Sequence, residues 1–369
     1  MKKKKSKLQL AQDEAQAAIN NANKKIEELG AHSEELCAVL NRIQELFDDI
    51  RNMPSDKKLE FEKLRKIRLK WIQQAEKIER DYKAAVKEAG AGAAGIGVGV
   101  TVVALGPTVA MGIATTFGVA STGTAISALS GAAATNAALA WLGGGALAAG
   151  GGGMVAGKAF LALAGPIGWA IASVALVASG LMFWKSSRNK RKIENTFTLI
   201  SNRDVKSYKL AIVELGERIE RISNEKRLLK KAIDIVKSFG TDYEAMTEAQ
   251  QYELGAYLNL MLSSTQLLVN PIMGLQPKFS EYDFEKFIGW KGRKADIKAC
   301  KDFKQLIIFF ANLLYRIDLD EKDKKLLYKT FKKNKKMLES LNIKKKEFSN
   351  EIMDIVLEAL EYSYSFQNA

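Results

Sequence analysis

The sequence predicts an all-α protein: long amphipathic helices with a coiled-coil seam flank one central Gly/Ala-rich apolar segment, and a helical domain closes the chain. Three observations carry this prediction. Apolar residues on both sides of the centre recur in alternating steps of three and four, the spacing of a helical seam. Only 5 prolines occur in 369 residues, and no alternating strand pattern of any length is present. Between the flanks, residues 89–184 carry one formal charge, Lys158, and hold 21 of the chain's 28 glycines.

The first element is the N-terminal stalk, residues 1–88. Ile19, Ala22, Ile26, Leu29, then Leu36, Leu40, Ile43, Phe47 and Ile50 form the seam of an antiparallel hairpin or coiled coil, interrupted at Ser33. Met53-Pro54-Ser55-Asp56 ends this helix, because proline disfavours helix at the residue before it. A second helix follows, with Phe61, Leu64, Trp71, Ala75, Ile78, Tyr82 and Ala85 on one face.

That helix runs into the apolar block, 89–184. A membrane-crossing helix needs about 20 mostly apolar residues, so the block can supply two or three. The first candidate span, from Ala89 to about Phe117, contains Gly95-x-x-x-Gly99, a spacing that lets helix backbones approach closely in lipid, and a kink at Gly106-Pro107. The last candidate runs from about Ala159 to Trp184, kinked at Gly165-Pro166 and carrying Trp169. It closes on Phe183 and Trp184, and the cluster Lys185, Arg188, Lys190, Arg191 and Lys192 follows at once, as for a helix leaving lipid on the cytoplasmic side. Between them, Thr124, Ser127 and Thr135 give a weakly polar stripe that could face water, and Lys158 is an interfacial charge or one that must pair on insertion. A buried core of a soluble bundle is the competing reading of such a block, and a protein can bury the segment first and release it later.

The return helix, 185–240, restores the seam with Tyr208, Ile212, Leu215, Ile219, Ile222, Leu229, Ile233 and Val236, and Gly240 ends it. With the block as the turn between them, the flanking regions are expected to pair antiparallel. The C-terminal helical domain, 241–369, includes an apolar stretch from Tyr252 to Val269. Its core helix lies within Asp296 to Ile317, marked by Leu306-Ile-Ile-Phe-Phe310 and Leu313-Leu314.

Several chemistries find no residues. A single histidine, His32, and two distant cysteines, Cys37 and Cys300, cannot assemble an ordinary zinc site or a Ser-His-Asp triad, so no catalytic, cofactor-binding or metal-ligating residue is assigned. Gly152-Gly-Met-Val-Ala-Gly157-Lys158 imitates a phosphate-binding loop, but Ala159 stands where Ser or Thr would hold magnesium, and no strand precedes it. The chain carries 56 basic against 42 acidic residues, net +14, which suits a polyanionic partner. Anionic lipid is favoured over nucleic acid, for which no recognition pattern exists. Residues Met1 to Lys7 are basic, but no apolar h-region follows, so cytoplasmic synthesis without a signal peptide and later membrane encounter are expected.

The layout resembles the α-helical pore-forming toxins of the cytolysin A kind. The pair Ala89 to Phe117 and Ala159 to Trp184 is similar to the hydrophobic hairpin of pore-forming colicins and apolipoprotein L. The resemblance is architectural and rests on no diagnostic motif. It implies a soluble or peripheral form that hides the apolar segment, then insertion and self-assembly into a homo-oligomer; a membrane-permeabilising chain of this kind would serve as a toxin or a cell-suicide effector. The alternative from the residues is a membrane-anchored coiled-coil scaffold that binds a protein partner through its stalk and makes no pore.

Overall fold

The computed structural model describes residues 5–89 and 187–367, apart from 271, 276–277, 280, 334–337 and 339–343. The described chain is all-α; it holds no strand, only an isolated bridge between Arg51 and Asp242. Its helices are α1 (Lys7–Asp48), α2 (Ser55–Ala89), α3 (Ser187–Lys237), α4 (Glu248–Val269), α5 (Glu281–Gly289), α6 (Ile297–Asp302), α7 (Lys304–Leu314), α8 (Glu321–Lys333) and α9 (Asn350–Gln367).

Local sequence explains where the long helices start and stop. The Ser6 hydroxyl accepts from Gln9 N at 3.2 Å and the Gln9 side chain accepts from Ser6 N at 2.9 Å, a reciprocal cap that satisfies orphan donors at the start of α1. Thr247 and Gln250 repeat the device on α4. After α1 the chain turns through Asn52 at φ 58°, and after α3 through Gly240 at φ 78°, a left-handed conformation that glycine adopts freely.

α1, of 42 residues, and α3, of 51, lie side by side for most of their length. At about 1.5 Å per residue they measure roughly 63 and 76 Å. They run parallel. Lys209 pairs with Glu14 at 2.7 Å, the Ser223 hydroxyl lies 3.1 Å from His32 Nδ1, and Lys226 pairs with Glu35. Beyond them Arg51 N donates to Thr241 O at 2.9 Å. This differs from the expected antiparallel pairing of the two flanks. The N-terminal flank is itself a hairpin turned at Asn52, so α2 runs antiparallel to α1, and the helix that packs along α3 is α1.

α2 is antiparallel to α1, with Phe47 and Phe61 ring centroids 4.3 Å apart and Arg68 Nη2 donating to Gln44 Oε1 at 3.0 Å. α4 is antiparallel to α3: the Ser264 hydroxyl donates to Glu225 at 2.8 Å, while Arg218 caps the end of α4 through the carbonyls of Leu267 and Asn270. The result is an up-down-up-down bundle of α1 to α4. Its core takes Ala22, Ile26, Leu29, Leu36, Leu40, Ile43 and Phe47 from α1, Phe61, Leu64 and Trp71 from α2, Leu215, Ile222 and Leu229 from α3, and Leu254, Met261 and Leu268 from α4.

A second core begins at Phe279 and is built by α5 to α9 around Phe310, whose ring lies 4.5 Å from Phe331 and 5.7 Å from Phe348. Leu8, Ile193, Phe197 and Ile200 join it, so the starts of α1 and α3 dock on the C-terminal helices. Residues 306–311, 313 and 314 are all buried, as their apolar run, interrupted only by Asn312, predicts. Asn312 among them is buried without penalty because its amide donates to Phe279 O and Ile308 O and its oxygen accepts from Lys278 N and Phe279 N. The core helix expected within Asp296 to Ile317 is α7, and Phe303 at φ −111° separates it from the short α6 before it.

Candidate membrane-facing end

The directions of α2 and α3 define one end of the molecule. α2 descends from the Asn52 turn antiparallel to α1, heading toward the end where α1 and α3 begin. α3 starts there, at Ser187. The chain therefore leaves the described bundle heading toward the end from which it returns.

The first turns of α3 carry the described part of the basic cluster. Arg188, Lys190 and Arg191 are exposed. Lys192 is different: it reaches across to Asp320 at 2.8 Å and Asp323 at 3.0 Å, ahead of and within the first turn of α8. The Asp320 carboxyl, held first by its hydrogen bond from Lys192 and then by the Asp323 backbone, drops to about 2. Lys192 is raised by the same two carboxylates. Ile193, Phe197 and Ile200 point into the second core. The geometry thus sets three solvated cations above a buried anchor and commits the fourth to a solvent-accessible ion pair with the start of α8.

The remaining sequence-predicted residues lie outside the described residues: Gly95, Gly99, Pro107, Thr124, Ser127, Thr135, Lys158, Gly165, Pro166, Trp169, Phe183, Trp184 and Lys185. Among the described residues no helix is long and apolar enough to cross a membrane, and no group of three His, Cys, Asp or Glu side chains comes together as a metal site.

Two polar features of the bundle escaped the sequence reading. Arg68 is 1% exposed, on the bundle-facing side of α2 between Leu64 and Trp71. One of its nitrogens donates to Gln44; its Nε and Nη1, and the Trp71 indole nitrogen, have no hydrogen-bond partner among the described residues. Burial lowers the Arg68 guanidinium to about 10, and burial raises the nearby Cys37 thiol. The signal was available, since 61, 64, 68, 71 and 75 continue the three-four spacing with an arginine at its middle. Ser33, the interruption in the α1 seam, is likewise fully buried with no partner for its hydroxyl among the described residues.

The second feature is Arg203, which pairs with Asp204 at 2.7 Å and donates to the carbonyls of Leu313 and Tyr315 at the end of α7. It ties α3 to the C-terminal helices where the two cores meet. Burial raises the Asp204 carboxyl, against the pull of Arg203 and Lys278. Adjacent arginine and aspartate on a charged helix carry no sequence mark that separates them from surface residues.

No protein-family model, no curated protein and no solved structure matches this chain. Its function rests on its own residues.

Proposed function

We propose that the chain is a membrane-permeabilising helical protein. Its apolar block, residues 89–184, enters a bilayer and self-assembles, while the helical bundle holds the block's two ends. The observation that carries this reading is the charge distribution: 96 consecutive residues with one formal charge, in a chain with 98 charged residues of Lys, Arg, Asp and Glu. Burial of apolar side chains in lipid would drive insertion, at about 25 cal/mol per Å² of apolar surface removed from water. Small residues such as Gly95 and Gly99 would let inserted helices pack closely. Thr124, Ser127, Thr135 and Lys158 are the candidates to face water in an assembled pore.

Two features of the bundle support the reading. The chain heads toward and returns from one end, which suits an even number of crossings. That end presents Arg188, Lys190 and Arg191, which would meet anionic headgroups beside the last span. A toxin or a cell-suicide effector is the biological role this activity would serve.

The test combines flotation and dye release, using vesicles of anionic lipid and full-length protein. Release of trapped dye, together with a pool of protein that stays soluble without detergent, is expected. Complete membrane association with no release from any lipid mixture would refute permeabilisation and favour the anchored coiled-coil scaffold.

A further inference from the structure

α2 is held unevenly along its length. At its start the chain is pinned to the end of α3. Arg51 N donates to Thr241 O at 2.9 Å, Tyr243 N donates to Arg51 O at 3.0 Å, and the Asn52 side-chain amide donates to Asp242 at 3.0 Å. Lys57 donates to the Tyr243 hydroxyl at 2.9 Å, with its ammonium 5.2 Å from that ring's centroid.

Past this pivot the packing thins. Of the described side chains from Ser55 to Ile72, four are buried: Phe61, Leu64, Arg68 and Trp71. The equal length of α1 from Gly30 to Phe47 buries eight. Two of the four on α2 bring in donors that no described residue accepts, Arg68 Nε and Nη1 and Trp71 Nε1. The Asp48 carboxylate, whose charge acts on Arg68, accepts instead from Gln44 at 3.0 Å and from Arg65 at 3.4 Å. The Arg65 and Asp48 side chains are 58% and 43% exposed, and a pair so exposed stabilises little. A buried guanidinium with no carboxylate of its own costs free energy that undocking returns, because opening rehydrates the charge. α1, α3 and α4 are meanwhile fastened to one another without α2. Lys209 and Lys226 of α3 pair with Glu14 and Glu35 of α1, Ser264 of α4 donates to Glu225, and Arg218 holds the end of α4.

We propose that α2 is a hinged arm, which swings from α1 and α4 about the Asn52 turn while the other three helices of the bundle stay folded. Elements with few buried apolar contacts open at lower free energy than the core around them. The arm itself stands on the described bundle alone. Its role rests on the reading that residues 89–184 enter a bilayer: opening is then the step that carries the start of the block away from the bundle.

Cys37 is a built-in reporter. It is buried, the Arg68 charge acts on its thiol, and it lies seven residues before Gln44, about two turns along the face of α1 that meets α2. The experiment uses the full-length chain in detergent-free buffer, with maleimide labelling of Cys37 and hydrogen exchange both read by peptide mass spectrometry. Amides from Leu64 to Trp71 are expected to exchange at least about tenfold faster than those from Leu215 to Leu229 of α3. Arg68→Met should slow Cys37 labelling about tenfold, and Gln44→Ala, which removes an acceptor and keeps the charge, should speed it, with helical circular dichroism unchanged in both. Dye release from anionic vesicles should slow in Arg68→Met by the same factor as labelling. Exchange in α2 as slow as in α3, or Cys37 labelling indifferent to both substitutions, overturns the arm. Release at the parent rate beside slowed labelling overturns its role in membrane entry. A parent that releases no dye counts against permeabilisation, while labelling and exchange still decide the arm.

Discussion

Arg68 is the residue whose placement is hardest to reconcile with stability alone. A guanidinium taken out of water needs acceptors for its five N–H groups, and here Gln44 supplies the one described side-chain acceptor. Replacing a buried, incompletely paired charge by a hydrophobe of similar volume is often neutral or stabilising, by about 1–4 kcal/mol. Arg68→Met is therefore expected to raise the thermal midpoint. Gln44→Ala, which strips the partner and leaves the charge, should lower stability by about 1–3 kcal/mol. A fall in the Arg68→Met midpoint, measured by circular dichroism, would mean that the guanidinium stabilises the bundle. The charge argued for the surface and the seam spacing argued for the core, and the spacing won. That residue was legible only to a reader who let periodicity outrank charge.

Among the elements, the α1 seam was the most legible. Leu29, Leu36, Leu40, Ile43, Phe47 and Ile50 are all buried, because a three-four spacing admits one buried face and no other. In α3 the seam gap at 226 is filled by Lys226, paired with Glu35 at its flank. The break at Phe303 was not legible, since neither proline nor glycine marks it. The basic start of α3 yields two predictions. First, its cations are unequal. Arg188→Ser/Lys190→Ser/Arg191→Ser should weaken binding to anionic vesicles by about 1 kcal/mol per charge. Lys192→Met, whose cation is already paired, should leave vesicle binding nearly unchanged in a sedimentation assay. Second, the pairing of Lys192 has a pH signature. Asp320 titrates below its unfolded value of about 3.9, so the stability it contributes is present above that value and is lost as pH falls through about 2. Lys192 is raised, so its share is present below its unfolded value of about 10.4 and is lost as pH rises through the higher folded value. A carboxyl-detected NMR titration should place Asp320 near the low value and return it to the ordinary aspartate range in Lys192→Met. An unshifted Asp320 in the parent would contradict the ion pair.

On the scale of the whole molecule, helix class and helix lengths were written in the sequence, whereas direction was not. The pairing of the flanks reads differently once the turn at Asn52 is recognised as closing a hairpin within the N-terminal flank. The two cores also divide at a place composition does not mark: Thr241 to Leu275 packs with the bundle, and the second core takes over at Phe279. The residues that carry the functional claim, from Gly95 to Lys185, lie outside the described residues, so that claim stands on their chemistry. The bundle contributes a frame with a direction. The chain leaves along α2 and returns along α3 at one end, with three solvated cations at the point of return.

The most direct measurement of that claim is dye release from vesicles containing anionic lipid, by full-length protein beside a chain in which residues 90–184 are replaced by a short Gly/Ser linker. Circular dichroism would verify that the deleted chain keeps its helical bundle. Release by the full-length protein and none by a folded deletion is the predicted result. Equal release by both chains would place the activity in the bundle and contradict the account.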